Sequence, residues 1–179
     1  MSVVQNGVGQ GARIFQGSYG FSCSIWKTMT LLSIPPHYYE RAIKKLPGRL
    51  SRGKRKLIEI LLKDQVAEPT EIDLAIISME SQLGLRGRVS IGEIYRRAQE
   101  YGLAICPNQT ILELCLSYDF LGIYSDSFIG TNLVVDPSGC QHFFRLPSKA
   151  VNFPLRSKLT SYTESVYRGE IKIIFACPR

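Results

Sequence analysis

Three side chains that could do chemistry together fall close to one another in the sequence: Asp136, Cys140 and His142. A cysteine nucleophile needs a nearby base, and a histidine oriented by a carboxylate is one such base. These residues, however, flank the turn of a predicted hairpin, where alternate residues of a strand share a face by geometry alone. Cys140 and His142 also form the closest metal-ligating pair, but a zinc site needs further ligands. We therefore predict no catalytic residue, no metal site and no cofactor.

Phosphate-binding loops are also missing from the sequence. No GxxxxGK[ST] motif occurs, and the glycines of residues 7–11 do not follow a strand. His37, beside Tyr38 and Tyr39, is expected to pack at the start of a helix. The sequence thus leans against an enzyme, although it leaves a small enzyme open as the weakest alternative.

The positive charge of the chain is concentrated in residues 41–56, here called the basic segment. The protein has 22 basic and 15 acidic residues and a formal charge of +7, and the residues outside this segment, 14 basic and 15 acidic, carry −1. Such a segment attracts phosphates by releasing counterions when its cations share one accessible surface. We predict that it binds nucleic acid through its eight cations, with possible help from Arg86, Arg88, Arg96 and Arg97; the eight are Arg41, Lys44, Lys45, Arg49, Arg52, Lys54, Arg55 and Lys56.

The apolar pattern predicts that two short helices, separated by Pro47-Gly48, carry the basic segment. Ser51 is placed to cap the second helix. Other interpretations of the segment are a solvated surface, an acidic protein partner and a membrane surface. The membrane is disfavoured because the apolar face has no Trp or Phe anchor. The apolar residues of the two helices are Tyr39, Ala42, Ile43 and Leu46, then Leu50, Leu57, Ile58, Leu61 and Leu62.

The residue pattern of the central part of the chain predicts a strand and two helices. Residues 74–79 form an apolar run typical of a buried strand, and residues 84–88 form a loop. Ser90 and Glu93 match a capping box at the start of a helix over 90–101, which Gly102 ends. A second helix is predicted over 107–118. Its inward residues are Ile111, Leu114, Cys115 and Tyr118, and those of the first helix are Ile91, Ile94, Tyr95 and Ala98.

These two helices followed by strands raise the hypothesis of a winged helix-turn-helix. Its second helix would have to read the major groove with Arg, Lys, Asn or Gln. Residues 107–119 offer only Asn108 and Gln109 near their start, with no cation. The second helix is therefore poorly equipped to read DNA.

The C-terminal third is rich in β-branched and aromatic residues. Strands are predicted over 129–135, 143–146 and 171–176, with a hairpin turn at 136–139 and a long surface loop at 147–169. We therefore predict an α+β fold with N-terminal basic helices, central helices and a C-terminal, mostly antiparallel sheet. Residues 1–33 are expected to form a flexible arm and residues 34–179 a single α+β domain.

The chain length and the cysteine content limit the classes of protein to which this sequence can belong. A chain of 179 residues with 45% apolar residues can bury one core. No apolar run is long enough to span a bilayer, and the N-terminal residues lack the basic flank, apolar region and cleavage site of a secretory signal. The five cysteines are an odd set with irregular spacing, which favours free thiols in a reducing compartment. We expect a cytoplasmic protein that does not bind membranes.

The stretch from Val89 to Pro107, which contains E-I-Y-R-R-A-Q-E-Y-G-L-A-I-C-P, resembles a motif of a loosely defined family of small bacterial proteins. The similarity covers residues 72–177 and is weaker over 120–130. The resemblance implies a bacterial or phage-related source and the α+β order, and it implies no site. From the residues we predict a non-enzymatic protein that binds nucleic acid or a nucleoprotein complex. The alternative is a regulator or phage-type inhibitor that binds a protein target.

Overall fold

A computed structural model of the chain describes ten stretches and single positions of the sequence. They are residues 13–33, 35, 37–38, 58–61, 66–117, 127–136, 139, 141–146, 156–160 and 170–179. Strands outnumber helices in these residues. The strands are β1 Ile14–Gln16, β2 Ser22–Ser24, β3 Lys27–Leu31, β4 Thr70–Ser78, β5 Ser127–Ile129, β6 Val134–Val135, β7 Gln141–Leu146, β8 Arg156–Thr160 and β9 Lys172–Cys177. The helices are α1 Ile91–Glu100 and α2 Gln109–Ser117, with a short 3-10 turn at Ser18–Gly20.

One mixed sheet joins strands from both ends of the chain. Its order is β3-β4-β9-β5-β7-β6, and β8 also pairs with β7. All of these pairs are antiparallel except β5 with β9, which is parallel. Because β8 pairs along most of β7, β5 and β6 must share the opposite edge of β7. Strands β1 and β2 form a separate antiparallel hairpin.

The two central strands, β4 and β9, bury side chains on both faces. Successive side chains of a strand point to opposite faces, so a strand covered on both sides is apolar almost throughout. On one face, Ile72, Leu74 and Ile174 pack with Ile111 and Leu114 of α2 in what we call the α2-side core. The other face forms the α1-side core, where Ala75, Ile77, Ile173 and Phe175 pack with Ile91, Ile94, Tyr95 and Ala98.

The predicted α+β fold with N-terminal basic helices, central helices and a C-terminal sheet is wrong. Residues 14–31 form strands β1 to β3 and a 3-10 turn, and β3 pairs with β4 over its whole length, from Lys27 with Leu74 to Leu31 with Thr70. Strand β3 is short and half-buried, so its alternation of polar and apolar residues gives only a weak sequence signal. Residues 14–31 of the expected flexible arm thus contain a hairpin and a strand of the main sheet.

The winged-helix hypothesis is also wrong. Helices α1 and α2 pack on opposite faces of the sheet, whereas a helix-turn-helix needs its helices packed on each other. Asn108 and Gln109, the two residues that could have read bases, are buried. The apolar faces of both helices were visible in the sequence, but nothing in it says which sheet face each one covers.

Part of the predicted surface loop at 147–169 forms strand β8. This strand pairs with β7 from Gln141 with Thr160 to Arg145 with Arg156. Its sequence, Arg-Ser-Lys-Leu-Thr, is mostly polar, and among the described strands it pairs only with β7. A strand at an edge is held by backbone hydrogen bonds and often carries charged residues, so its sequence resembles that of a loop.

Several local predictions are confirmed. The Ser90 hydroxyl accepts a hydrogen bond from the Glu93 amide at 3.2 Å, and the buried residues of α1 are the four predicted. Gly102, just after the helix, has a φ of +83°. The Gly139 amide donates to the Asp136 carbonyl at 2.9 Å, as expected for the hairpin turn. Among the described helices, none is long and apolar enough to cross a membrane.

Candidate functional site

The eight cations predicted to bind nucleic acid lie outside the described residues, and their role stays a prediction. They are Arg41, Lys44, Lys45, Arg49, Arg52, Lys54, Arg55 and Lys56. The structure does describe residues on both sides of them. Leu31 and Leu32 lie at and just after the end of β3, and residues 58–61 and Val66 come before β4.

One buried glutamine connects the two ends of the stretch that contains the basic segment. Gln109, the first residue of α2, is 0% exposed. Its side-chain amide donates to the carbonyl oxygen of Leu32 at 2.7 Å, and its side-chain oxygen accepts a hydrogen bond from the amide of Val66 at 3.1 Å. Gln109 therefore holds Leu32 and Val66 next to each other at the start of α2. We call Gln109, Leu32 and Val66 the glutamine clamp.

Apolar side chains near the clamp fix the chain before and after the basic segment. Leu31, at the end of β3, is fully buried in the α2-side core. Residues 58–61 are helical, and Ile58 and Leu61 are buried in the same core while Glu59 is exposed. Burying a Leu or Ile side chain stabilises by roughly 1.5–3 kcal/mol. The packing of these side chains and the hydrogen bonds of the glutamine clamp thus hold the same part of the chain against the α2-side core.

The four arginines expected to assist differ in how available their charge is. Arg86 and Arg88 are exposed in the loop before α1. Arg96 and Arg97 both form ion pairs with Glu100 on α1, and the Arg97 guanidinium also lies 5.9 Å from the centre of the Tyr101 ring. Since a phosphate would have to compete with Glu100 for these two, the loop arginines are the better candidates for a direct contact.

A buried carboxylate and two arginines form the strongest charge cluster among the described residues. Asp73, in the middle of β4, is 2% exposed. Arg13 binds it at 2.8 and 3.2 Å, Arg179 binds it at 2.9 and 3.0 Å, and the Thr28 hydroxyl also donates to it. Arg179 also pairs with Glu71 at 2.7 Å. This cluster was not predicted, although a single acid within the apolar run of β4 is a signal for a buried partner.

The surroundings of Asp73 keep it ionised. Burial alone would raise its pKa, but the hydrogen bonds from Arg179 and Thr28 and the charges of both arginines outweigh burial and lower it. An acid or base catalyst needs a carboxyl group that can exchange a proton near neutral pH. Asp73 has both oxygens engaged and a lowered pKa, so its chemistry is that of a structural ion cluster.

The Asp136 and His142 side chains do meet, as the hairpin geometry requires. His142 Nε2 lies 3.0 Å from an Asp136 carboxylate oxygen, and Cys140 lies outside the described residues. The other ring nitrogen, Nδ1, is buried and has no hydrogen-bond partner among the described residues. Among the described residues, no group of three His, Cys, Asp or Glu side chains could hold a metal ion.

Comparison of the chain with family models, curated proteins and solved structures gives no match. The function therefore has to be inferred from the residues themselves.

Proposed function

We propose that this chain is a non-enzymatic binding protein whose basic segment, residues 41–56, contacts nucleic acid or a nucleoprotein complex. The observation that carries the proposal is the charge distribution. Eight basic and no acidic residues occur in that segment, while the rest of the chain carries −1. Charge that served only solubility would be spread over the surface. Here it is concentrated in sixteen consecutive residues.

Among the possible partners, nucleic acid best matches the chemistry of such a segment, because it carries closely spaced phosphates. Each phosphate neutralised by Lys or Arg releases condensed counterions, and this release supplies most of the sequence-independent affinity. Arginine also binds phosphate oxygens in a bidentate manner, and four of the eight cations are arginines, Arg41, Arg49, Arg52 and Arg55. The segment is thus suited to a phosphate backbone and carries no signal for base-specific contacts.

The described residues on either side of the segment support the proposal. The glutamine clamp and the burial of Leu31, Ile58 and Leu61 fix the chain before and after residues 41–56 on the α2 side of the sheet. Tethering a segment at both ends removes part of the conformational freedom that binding would otherwise have to remove.

Binding titrations with charge-matched variants test the proposal. Labelled single-stranded and double-stranded RNA and DNA are titrated with three proteins, and anisotropy gives each Kd. The first variant combines Arg52→Gln, Lys54→Gln, Arg55→Gln and Lys56→Gln, and the second combines Arg86→Glu with Arg88→Glu. Each lowers the formal charge from +7 to +3, so the two differ only in where the charge is lost.

We expect the basic-segment variant to lose affinity about tenfold or more, which corresponds to at least about 1.4 kcal/mol. The loop variant should lose much less, because Arg86 and Arg88 are at most auxiliary contacts. Equal losses in both variants would mean that only net charge matters. Absence of binding by the wild-type protein to all four nucleic acids would contradict the proposal and favour an acidic protein partner.

A further inference from the structure

One tyrosine at the tip of the N-terminal hairpin is held in a backbone conformation that its residue type disfavours. Tyr19 has a φ of 55° and a ψ of 31°, and among the described residues it is the sole non-glycine residue with a positive φ. Gly20 follows with a φ of 71°, and the Phe21 amide donates to the Ser18 carbonyl at 3.0 Å. Two positive φ values inside such a turn are typical of type I′, which favours the sequence Asn-Gly. Asparagine would therefore suit the backbone at position 19 better than tyrosine does.

Packing does not explain a tyrosine at this position either. Among the described residues, no other large hydrophobic residue is as exposed as Tyr19, which is 88% exposed. A ring in solvent adds little to the stability of the fold, because it removes little apolar surface from water. Residues in disfavoured backbone conformations are concentrated at sites that contact ligands. The fold thus gives no reason for the ring of Tyr19, and the ring is open to a partner.

The turn that carries Tyr19 is fixed to the end of α1. The Ser18 amide donates to the Tyr101 carbonyl at 3.1 Å, and the Phe21 ring stacks on the Tyr101 ring with their centres 4.8 Å apart. A Cβ on Gly17 would collide with the Tyr101 carbonyl oxygen, so the turn and the helix end approach as closely as glycine permits. Contacts on both sides of Tyr19 thus hold its backbone in place, and a preorganised contact loses less conformational freedom on binding.

The charges around this turn suit a phosphate-bearing partner. Residues 14–26, which include the whole hairpin, contain no charged side chain. Beside the turn, the Arg97 guanidinium lies 5.9 Å from the centre of the Tyr101 ring. Arg96 and Arg97 share one carboxylate, that of Glu100, so this group keeps one net positive charge. A phosphate next to the turn would thus meet no carboxylate from the hairpin and an attractive charge from α1.

We propose that Tyr19 is a stacking platform for an unpaired base, so that the nucleic acid bound by this chain is single-stranded where it meets the hairpin. Every base has an aromatic face that stacks on a tyrosine ring, whereas the base faces inside a duplex are covered by their neighbours. This assignment rests on the proposed binding of nucleic acid and adds the strand type to it. The basic segment contacts phosphates, and Tyr19 contacts a base.

Anisotropy titrations of the full-length chain test the proposal, with short unstructured single-stranded RNA and DNA and with duplexes of the same sequences. Tyr19→Asn should lower the single-strand affinity at least about fivefold and leave the duplex affinity unchanged. Tyr19→Phe keeps the ring and should retain the single-strand affinity. Ile14→Ala removes another exposed apolar side chain of the hairpin, so it is the matched control and should change neither affinity.

Two further measurements separate stacking from a loss of folding and from a loss of charge contacts. Thermal melting should show that Tyr19→Asn is at least as stable as the wild type, since asparagine suits the turn. Tyr19→Gly, which adopts a positive φ without strain, is a second variant and should bind like Tyr19→Asn. The slope of log K against log salt should be the same in the wild type and in both variants, because stacking releases no counterions.

Failure of the stacking assignment is distinguishable from failure of the proposed function. If the wild-type protein bound none of the nucleic acids, both would be wrong. If it bound them with the expected salt dependence, but Tyr19→Asn and Tyr19→Gly kept the full single-strand affinity, the stacking assignment alone would be overturned and Tyr19 would be left as a contact for a protein partner. Equal losses of affinity for single strands and duplexes would overturn the assignment as well.

Discussion

Asp73 joins parts of the chain that are far apart in sequence. It lies on β4, Thr28 lies on β3, Arg13 precedes the hairpin, and Arg179 follows β9. A carboxylate in the middle of an apolar strand is costly unless it is paired and hydrogen-bonded. The cluster therefore makes the arrangement of these four parts mutually dependent.

Asp73→Ala should destabilise the protein by about 2 kcal/mol, because hydrogen bonds to a charged group are lost and both arginines lose a partner. Urea unfolding monitored by circular dichroism measures the change. Glu71→Ala is the matched control on the same strand. Glu71 is half exposed and pairs with Arg179 alone, so its loss should cost much less. Equal losses of stability in Asp73→Ala and Glu71→Ala would show that the burial of Asp73 does not strengthen its ion pairs.

The lowered pKa of Asp73 also gives a prediction for pH. Its folded-state pKa lies below the unfolded value of about 4, so its contribution is fully present above that value and is lost as pH falls through the folded-state pKa. The stability difference between the wild type and Asp73→Ala should therefore shrink as pH is lowered from 7 toward 2. A difference that stays constant or grows over this range would contradict the assignment.

Gln109→Leu should destabilise the protein by about 1–3 kcal/mol, because it leaves the Leu32 carbonyl and the Val66 amide without their side-chain partner. Hydrogen exchange should accelerate at the Val66 amide, which marks the end of residues 33–65. Gln99→Leu, at an exposed position of α1, is the matched control. It should change neither the stability of the protein nor the hydrogen exchange at the Val66 amide. Unchanged exchange at Val66 in Gln109→Leu would show that the clamp does not hold the stretch.

Among the elements, α1 depends most on short-range sequence signals. Ser90→Ala removes the cap of this helix and should cost about 1 kcal/mol in thermal or urea unfolding. Ser90→Asn, which keeps a capping oxygen, should restore most of that loss. If Ser90→Asn were as damaging as Ser90→Ala, the hydroxyl would matter for packing rather than for capping.

The elements that could be predicted from the sequence are those that are determined by residues close together in the chain. The capping box, the glycine after α1 and the Asp136 to Gly139 turn each act within a few residues, so their sequence signals suffice. The order of strands could not be predicted, because β3 and β8 are short, partly polar strands fixed by pairing with strands far away in sequence. The burial of Gln109 could not be predicted either, because it follows from the position of α2 on the sheet.

In the molecule as a whole, the sheet contains β3 from the N-terminal part of the chain and β9 from the C-terminal part, and both of its faces are covered. The hairpin with Cys23 lies on the α1 side, and the flanks of the basic segment lie on the α2 side.

The dependence of nucleic-acid affinity on salt concentration tests the role of the basic segment. If its eight cations contact phosphates, log K should fall with log salt with a slope of roughly −5 to −7, and the variant with four cations replaced by Gln should show about half that slope. The Arg86→Glu and Arg88→Glu variant should keep most of the wild-type slope. A slope near zero for the wild type, or the same slope for the wild type and the four-cation variant, would contradict phosphate binding by residues 41–56.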